Sequence, residues 1–482
     1  MFKRMAVVLI MLSALTLCLS VVQAEAKRTE YEVFVSDSWG ERNETGGQAI
    51  VSPGEILISA EIIKWYTDEK LTVHVAEKRA EVVIQSPRFK LETERLDSLI
   101  QQGVTLNFPL RLIEGKPYLN MVKLDQILGL AVIPHPHERT VEIRLPYGQK
   151  VLPQINKTRV KASLAQPFNV VWDHVTGEQR NLAAEKQLPG LHVISPTWFA
   201  VVNEAGLVLN NADRKYVDDA HSKNYQVWAL VSNSFNKDVT KKILADELSQ
   251  ANIIKQLVTY VSMYNLDGLN VDFENIYDDD KDRLTAFLTK LGAALKEQNV
   301  VFSIDVTVPS KTSFWSLCYD RQALGRIADY IMVMTYDEHW RLSPVSGSTA
   351  SLPWVEKGVK AMLAEVPKEK LLLGIPFYTR EWEETITEEG KVAVKSQALS
   401  MEQADKRVAD HQASVTWLDD KGQYYTEYEK NGKRYRIWLE NKDSIALKAL
   451  LVPKYGLAGT ASWRKGFEKE EIWQVLHDTV KK

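Results

Sequence analysis

The stretch Leu266-Asp267-Gly268-Leu269-Asn270-Val271-Asp272-Phe273-Glu274-Asn275 decides the fold of this chain. Apolar residues recur at every second position, which predicts a strand with one apolar face. The opposite face carries the small, polar and acidic residues: Gly268, Asn270, Asp272 and Glu274. We expect this face to point into a parallel sheet, where acids are costly unless they are hydrogen-bonded or take part in chemistry. The alternative is a strand end whose acids cap the next helix or pair with a surface base.

Strands and helices alternate on both sides of this stretch. The strand candidates are 191–201, 225–235, 266–274, 300–308, 328–337, 370–380, 434–440 and 457–463. Eight strands alternating with helical patterns predict an α/β fold, a (β/α)8 TIM barrel over residues 166–482. A doubly wound open sheet is the alternative, but no glycine-rich phosphate loop follows the first strand. A small irregular insertion is expected near 383–433, followed by a hairpin that turns at Asn431-Gly432.

The sequence before the barrel predicts a smaller α+β module. A weak repeat joins 57–84 to 118–143, and each copy predicts a short amphipathic helix followed by a strand. We therefore expect a stalk or wall-associated module over 54–146. It would lie between an irregular segment over 27–53 and a linker over 147–165.

The first residues predict export. Lys3 and Arg4 precede an apolar run, and Ala24-Glu25-Ala26 fits a cleavage site, so residues 1–26 are interpreted as a signal peptide. An uncleaved anchor is the alternative. We expect an extracellular or cell-wall-associated protein. Cys318 is then the one cysteine of the mature chain, so no internal disulfide is predicted.

The composition favours an ordinary globular protein. With 482 residues, 26% of them charged, and a net charge of −3, the chain predicts two or three domains and no nucleic-acid partner. We expect no metal and no cofactor, because His135 and His137 lie in a proline-rich turn that predicts surface positions. A monomer is expected.

Aromatic residues recur where the barrel strands are predicted to end, interleaved with hydrogen-bonding groups. Sugar sites need both, since rings stack on aromatic planes and hydroxyl groups need polar partners. Such barrels bind substrate at the carboxyl ends of their strands. The candidates are Trp198, Trp228, Tyr336, Asp337, Tyr378, Arg380, Trp438 and Trp463.

Several of these residues stand in motifs of one enzyme family. Asp267-Gly268-Leu269-Asn270-Val271-Asp272-Phe273-Glu274 resembles the DGxDxDxE signature of glycoside hydrolase family 18, the chitinase-like barrels. Met334-Thr335-Tyr336-Asp337, Pro376-Phe377-Tyr378-Thr379-Arg380 and Trp463 resemble later motifs of that family. The likeness is strongest to its bacterial, spore-associated branch, which acts on peptidoglycan. The module over 54–146 resembles the amine oxidase N-terminal-like stalk module.

The resemblance implies a polysaccharide substrate, peptidoglycan or chitin, and assigns roles to residues. Glu274 would be the general acid and base, Asp272 would orient the substrate's 2-acetamido group, and Tyr336 would donate to its carbonyl oxygen. Trp463 would form the floor of the sugar site. The other expected substrate contacts are Asn270, Asp337, Tyr378, Arg380, Trp198, Trp228 and Trp438.

Position 270 departs from the family pattern. Asn270 stands where chitinases carry an aspartate, and we expect its amide to donate to Asp272 and to keep that carboxylate ionised. This departure predicts a simpler acidic limb of the pH profile.

Other functions remain open from the sequence. A lectin-like glycan-binding protein on the same barrel is the main alternative, although Glu274, which such proteins usually lose, is present. A two-carboxylate glycosidase would use Glu274 with Glu440 or Asp337. A purely structural envelope protein leaves the aromatic strand ends unexplained. Attachment to the cell wall through the N-terminal module is a further expectation.

Overall fold

The computed structural model describes residues 29–36, 42–65, 71–84, 104–122, 124–128, 130–144, 164–176 and 180–481. The predicted signal peptide and nearly all of the predicted linker lie outside these ranges. By internal contacts the chain divides into two units, residues 1–80 with 110–152, and residues 81–109 with 153–482. In the described ranges no helix is both long enough and apolar enough to cross a bilayer.

The strands are numbered here in chain order. They are β1 (Thr29–Ser36), β2 (Arg42–Ser52), β3 (Glu55–Ser59), β4 (Leu71–His74), β5 (Arg79–Ile84), β6 (Val104–Ile113), β7 (Lys116–Asn120), β8 (Ala131–His135), β9 (Thr140–Arg144), β10 (Phe168–Asp173), β11 (Leu191–Val201), β12 (Val208–Asn210), β13 (Gln226–Ser232), β14 (Gly268–Asp272), β15 (Val301–Thr307), β16 (Tyr330–Met334), β17 (Leu371–Pro376), β18 (Tyr378–Ile386), β19 (Val392–Ser400), β20 (Val415–Leu418), β21 (Gln423–Lys430), β22 (Lys433–Leu439) and β23 (Gly459–Trp463).

The helices are numbered in the same way. They are α1 (Ala60–Trp65), α2 (Leu124–Leu128), α3 (Arg214–Ser222), α4 (Lys237–Ala245), α5 (Glu247–Tyr264), α6 (Lys281–Glu297), α7 (Arg321–Ile327), α8 (Leu352–Leu363), α9 (Met401–Asp410), α10 (Lys442–Ala449), α11 (Leu451–Tyr455) and α12 (Glu471–Thr479). Short 3-10 turns lie at Leu182–Ala184, Asp278–Asp280 and Lys368–Lys370.

Eight parallel strands close into the predicted (β/α)8 barrel. Their order around the barrel is β10-β11-β13-β14-β15-β16-β17-β23, and β23 pairs back onto β10. Every residue of β14 is buried, as expected for a parallel strand covered on both faces. The prediction of a TIM barrel is therefore confirmed.

One predicted barrel strand is wrong and one is missing. The segment 434–440 falls on β22, which belongs to a separate antiparallel sheet, whereas β10 is the true first strand. All six residues of β10 are buried, so it lacks the alternation that marks a half-exposed strand. The stretch predicted as the third strand, β14, is consequently the fourth.

Gly268, near the start of the deciding stretch, leaves space for the Trp228 side chain. A Cβ atom at Gly268 would lie 2.5 Å from Cγ and Cδ1 of Trp228, which stacks on Tyr330 inside the barrel. Glycine is thus required here by close packing rather than by backbone conformation.

We expect Gly268→Ala to lower the free energy of unfolding by about 1–3 kcal/mol, because overpacking forces the Trp228 ring to shift. Urea denaturation measures this loss. The control is Gly325→Ala in α7. A Cβ atom there would lie 3.4 Å from Cγ2 of Val366, which is an ordinary van der Waals contact. A Gly268 variant as stable as the Gly325 variant would contradict the packing argument.

The insertion is ordered and larger than expected. Instead of an irregular segment over 383–433, strands β18 to β22 form a five-stranded antiparallel sheet in the order β19-β18-β22-β21-β20. Helix α9 packs its Ala404 against Leu399 and Ile437 of this sheet. The predicted hairpin turn at Asn431-Gly432 is confirmed, since β21 pairs with β22 across it.

The N-terminal sheet has nine strands in the order β4-β5-β6-β7-β3-β2-β1-β9-β8. The prediction that 27–53 is irregular is wrong, because β1 and β2 both lie there. Gly47 lies within β2, where the Ile62 side chain occupies the space of its absent Cβ. The internal repeat is present as a strand, a helix and a hairpin: β3-α1-β4-β5 and β7-α2-β8-β9. The two copies pair through β3 and β7.

Candidate active site

Two acids of the deciding stretch lie at the carboxyl end of β14. Asp272 is the last residue of the strand, and Glu274 follows two positions later. Asn233, just beyond β13, holds the backbone at Glu274 on both sides: its Oδ1 accepts from the Glu274 amide at 3.1 Å and its Nδ2 donates to the Glu274 carbonyl at 2.8 Å. Glu274 lies beyond the last residue of β14, so these two hydrogen bonds, rather than strand pairing, fix its backbone.

Burial keeps a proton within this acid pair. It raises the pKa of Asp272 to about 7, and it raises the pKa of Glu274 well above its usual value. The charges of Asp272, Asp305 and Asp337 raise the pKa of Glu274 further. The two side chains are hydrogen-bonded, and Glu274 is the donor, because this bond lowers the pKa of Asp272 and raises the pKa of Glu274. A protonated acid of this kind can act as a general acid near neutral pH.

A third buried acid, Asp305, was missed by the sequence analysis. It lies on β15, and burial followed by the charge of Asp272 raises its pKa well above the usual value. The alternation of Ser303, Asp305 and Thr307 on β15 was the available signal. Only the pairing of β14 with β15 shows that Asp305 belongs to this site.

Asn270 lies beneath the acids and does not reach the mouth. Its Oδ1 accepts from Trp172 Nε1 at 2.8 Å and from Ser195 Oγ at 3.2 Å. Its Nδ2 donates to Asp305 Oδ1 at 2.8 Å and to Ser303 Oγ at 3.2 Å. The expectation that Asn270 donates to Asp272 is therefore wrong, because its amide nitrogen donates to Asp305 and Ser303 instead. Contact between the fully buried Asn270 and substrate stays a prediction. Asp272 also ionises less readily than expected, since burial raises its pKa.

Three predicted residues beyond β16 and β17 form one cluster. Tyr378 Oη donates to Asp337 Oδ1 at 2.6 Å, and Arg380 Nη2 donates to the same oxygen at 3.1 Å. Burial raises the pKa of Tyr336 well above its usual value, so this phenol stays a hydrogen-bond donor. Its ring meets Tyr378 edge to face, with 6.2 Å between ring centroids.

Tryptophans line the floor of the barrel mouth. Trp463, at the end of β23, packs on Trp172 with 6.1 Å between centroids, and His174 packs on Trp463 at 5.8 Å. Trp172 meets Tyr336 edge to face at 6.5 Å. The sequence does not predict Trp172 and His174 as site residues, because β10 is not among the predicted barrel strands.

The other predicted tryptophans lie elsewhere. Trp198 is buried against Tyr216, and Trp228 is buried in the lower layer of the barrel. Neither lies beside the acids at the end of β14, and their contact with substrate stays a prediction. Trp438 lies on β22 of the insertion, with the Arg436 guanidinium 4.8 Å from its ring centroid. Trp228 lies deep in the barrel, Trp198 packs on helix α3, and Trp438 belongs to another sheet, and sequence alternation distinguishes none of these positions.

Glu440 is engaged elsewhere and is not available as a catalytic nucleophile. Lys448 Nζ lies 2.9 Å from each of its carboxylate oxygens, and Gln423 and Ser444 each donate to it at 2.7 Å. The alternative that pairs Glu440 with Glu274 is therefore wrong.

Comparisons with known proteins identify the family and the fold. The pattern of the family described as "Glycosyl hydrolases family 18" matches residues 187–467. The chain is 24% identical over 286 residues to the "Uncharacterized glycosylase YvbX" of Bacillus subtilis (strain 168), covering 57% of this chain and 81% of that protein. It is 23% identical over 254 residues to the "Cortical fragment-lytic enzyme" of Bacillus anthracis, covering 51% of this chain and 57% of that protein. A chitinase crystal structure from Chromobacterium violaceum ATCC 12472 shares the fold, with a TM-score of 0.58 and 24% identity over 66% of this chain and 99% of that chain.

Proposed function

Because the chain belongs to glycosyl hydrolases family 18, we propose that it cleaves β-linked glycans next to N-acetylglucosamine by substrate-assisted, retaining catalysis. Peptidoglycan, including that of the spore cortex, is the proposed substrate, and a chitin-like glycan is the second candidate. The observation that carries the proposal is the Asp272–Glu274 pair at the end of β14, in which desolvation and the neighbouring carboxylates keep the proton on Glu274. The name of one relative, "Cortical fragment-lytic enzyme", supports the choice of peptidoglycan.

The chemistry follows from these two acids. Glu274 donates its proton to the glycosidic oxygen while the bond to C1 breaks. The carbonyl oxygen of the substrate's own 2-acetamido group attacks C1 and forms an oxazolinium ion. No enzyme carboxylate then has to act as the nucleophile. Glu274, now ionised, takes a proton from the water that opens this ion, and the anomeric configuration is retained.

Asp272 and Tyr336 are suited to hold the acetamido group. Asp272 Oδ1 is buried and, among the described residues, has no hydrogen-bond partner, so it can accept the acetamido N–H. Its charge would stabilise the positive oxazolinium ion. The Tyr336 phenol, which stays protonated, would donate to the acetamido carbonyl. Trp463 supplies the stacking surface for the sugar ring.

We further propose that the protein acts outside the cell, on the wall. The basic and apolar residues of the first 26 positions support export. The N-terminal sheet is the candidate for attachment to the wall, and its likeness to a stalk module stays a prediction.

Product analysis tests the substrate. We expect mass spectrometry to find new reducing ends next to N-acetylglucosamine when the protein is incubated with purified peptidoglycan or spore cortex, and slower release from chitin. Faster release from chitin would reassign the substrate. Binding to all three glycans with no release would favour the lectin-like alternative.

The 2-acetamido group gives a test of the mechanism. We expect N-deacetylated peptidoglycan to be cleaved at least about 100-fold more slowly, because the internal nucleophile is lost. Chemical re-acetylation of the same glycan is the control and should restore the rate. Undiminished cleavage of the deacetylated glycan would instead favour a two-carboxylate mechanism, which leaves Asp337 as the partner of Glu274.

A further inference from the structure

Asp305 stands beside the catalytic acids on the neighbouring strand. The register of β14 and β15 sets Asn270 opposite Ser303 and Val271 opposite Ile304. One residue further along each strand, Asp272 and Asp305 lie at the same height in the barrel. Asp305 is 1% exposed. Its carboxyl group therefore faces the barrel interior at the depth of Asp272, out of reach of bulk water.

The Asn270 amide connects Asp305 to the rest of the site. An indole N–H can only donate, so the Asn270 atom that faces Trp172 must be the oxygen. The amide nitrogen must then face Asp305, to which it donates at 2.8 Å. The indole of Trp172 also lies within hydrogen-bonding reach of Asp305. Both contacts hold the carboxyl group in one position.

The titratable groups that face Asp305 are acids and phenols. Asp272 and Glu274 come from β14 and its end, Tyr336 follows β16, and the charge of Asp305 acts on Glu274 and Tyr336. Tyr319, which donates to the Phe273 carbonyl at 2.8 Å, faces the same two acids of β14. Proton loss from Glu274 therefore happens in the field of three other carboxylates, those of Asp272, Asp305 and Asp337.

We propose that Asp305 is a positioning residue for hydrolysis, because it supplies on β15 the third carboxyl group of the site, and Asn270 holds it in place. The inference rests on the proposed function and deepens it. The site therefore keeps a carboxyl group although position 270 is an asparagine. Asp305 supplies this group from the neighbouring strand β15, and the Asn270 amide is hydrogen-bonded to it. Asp305 acts through Glu274, whose proton it helps to retain towards alkaline pH.

The pH profile of kcat tests the inference, with reducing-end release from purified peptidoglycan as the assay. In Asp305→Asn, the basic limb is expected to move to lower pH by about 1 unit, because one negative charge near Glu274 is gone. The acidic limb, which follows Asp272, stays in place. In Asn270→Asp, the basic limb moves to higher pH. The double variant Asn270→Asp/Asp305→Asn restores the wild-type limb, because it returns the carboxyl group on the other strand.

A purely structural role predicts a different result. Asp173→Asn is the matched control, since Asp173 is also buried at a barrel strand end but pairs with Arg180 and Tyr216. It should lower stability and leave both limbs in place. Unmoved limbs in Asp305→Asn and in the double variant would overturn the inference. If Asp305→Asn does not fold, an unmoved basic limb in Asn270→Asp overturns it.

A stability measurement separates this inference from the proposed function. If wild type cleaves none of the glycans, the proposed function fails, but Asp305 can still be tested by unfolding. A carboxyl group with a raised folded-state pKa costs stability as pH rises above its unfolded value, about 3.9 for aspartate. Between pH 4 and 8, Asp305→Asn should therefore lose less stability than wild type does. Parallel stability curves would show that Asp305 does not bear this charge.

Discussion

Replacing Glu274 by Gln is expected to slow the hydrolysis of peptidoglycan by about 10³-fold or more, within the range known for loss of a general acid. Glutamine keeps the size of the side chain and can still hydrogen-bond to Asp272, but it has no acidic proton for the leaving oxygen. The loss should appear in kcat, with KM nearly unchanged. Reducing-end release, measured with wild type and variant under the same conditions, gives the ratio.

The matched control is Asp279→Asn, another acid-to-amide change in the loop after β14, at an exposed position. It should hydrolyse at the wild-type rate. Sedimentation with insoluble peptidoglycan adds a second measurement, in which Glu274→Gln should bind as wild type does. If the rate of hydrolysis by Glu274→Gln is within a few-fold of the wild-type rate, Glu274 is not the general acid.

The raised pKa of Glu274 explains why this acid is suited to the task. At pH 7 an ordinary glutamate is ionised and cannot protonate a leaving group. Here burial and three neighbouring carboxylates favour the protonated form. The second half of the reaction needs the ionised form, and Glu274 reaches it by giving up its proton in the first half. One side chain therefore serves both steps.

Replacing Lys448 by Met is expected to lower the free energy of unfolding by about 3–5 kcal/mol at pH 7, the cost of breaking a buried ion pair from one side. Lys448 and Glu440 are both fully buried, and Lys448 donates to both carboxylate oxygens. Methionine keeps the length of the side chain but leaves Glu440 charged in the interior. Urea denaturation at pH 7 measures the loss.

Two variants control for this effect. Lys406→Met breaks an exposed pair with Asp410 in α9 and should cost less than about 1 kcal/mol. The double variant Glu440→Gln/Lys448→Met removes both charges and should be more stable than Lys448→Met alone, because no unpaired ion remains. A Lys448 variant no less stable than the Lys406 variant would show that the pair does not hold this part of the fold.

The loss should also depend on pH. Burial raises the pKa of Glu440 even with Lys448 present, and without the lysine the pKa rises further. A carboxyl group whose folded-state pKa exceeds its unfolded value is penalised above that unfolded value, about 4.3 for glutamate. The difference between Lys448→Met and wild type should therefore shrink as pH falls from 7 towards 4.5. A difference that stays constant would mean that Glu440 does not remain charged.

The two strand assignments show where sequence reasoning failed. β10 lies within the predicted barrel but is buried along its whole length, and its sequence is not among the predicted strands. β22 alternates well and stands at the right interval, so it was taken for a barrel strand. Periodicity reports whether the two faces of a strand differ in polarity, and it says nothing about the sheet to which the strand belongs.

The positions of the tryptophans differ from those expected for a related reason. Trp198 and Trp228 lie on barrel strands, as predicted, but both are buried in packing layers. Trp463 lies where its strand ends, against Trp172 and His174. The sequence around a tryptophan does not report whether its side chain lies in the core or at the mouth of the barrel. Their depth follows from strand stagger, which is a property of the closed barrel.

The sequence by itself determined the features that depend on near neighbours in the chain: the barrel class, the hairpin at Asn431-Gly432, the family motifs, and Asp272 and Glu274 on one face of β14. Two residues apart on a strand always share a face, so no tertiary information was needed. Tertiary structure alone decided which groups meet across strands. Asp305 joins the acids through the register of β14 and β15, Trp172 and Ser195 take the amide of Asn270, and Lys448 removes Glu440 from the chemistry. These contacts join residues far apart in sequence, and only closure of the barrel brings them within hydrogen-bonding distance.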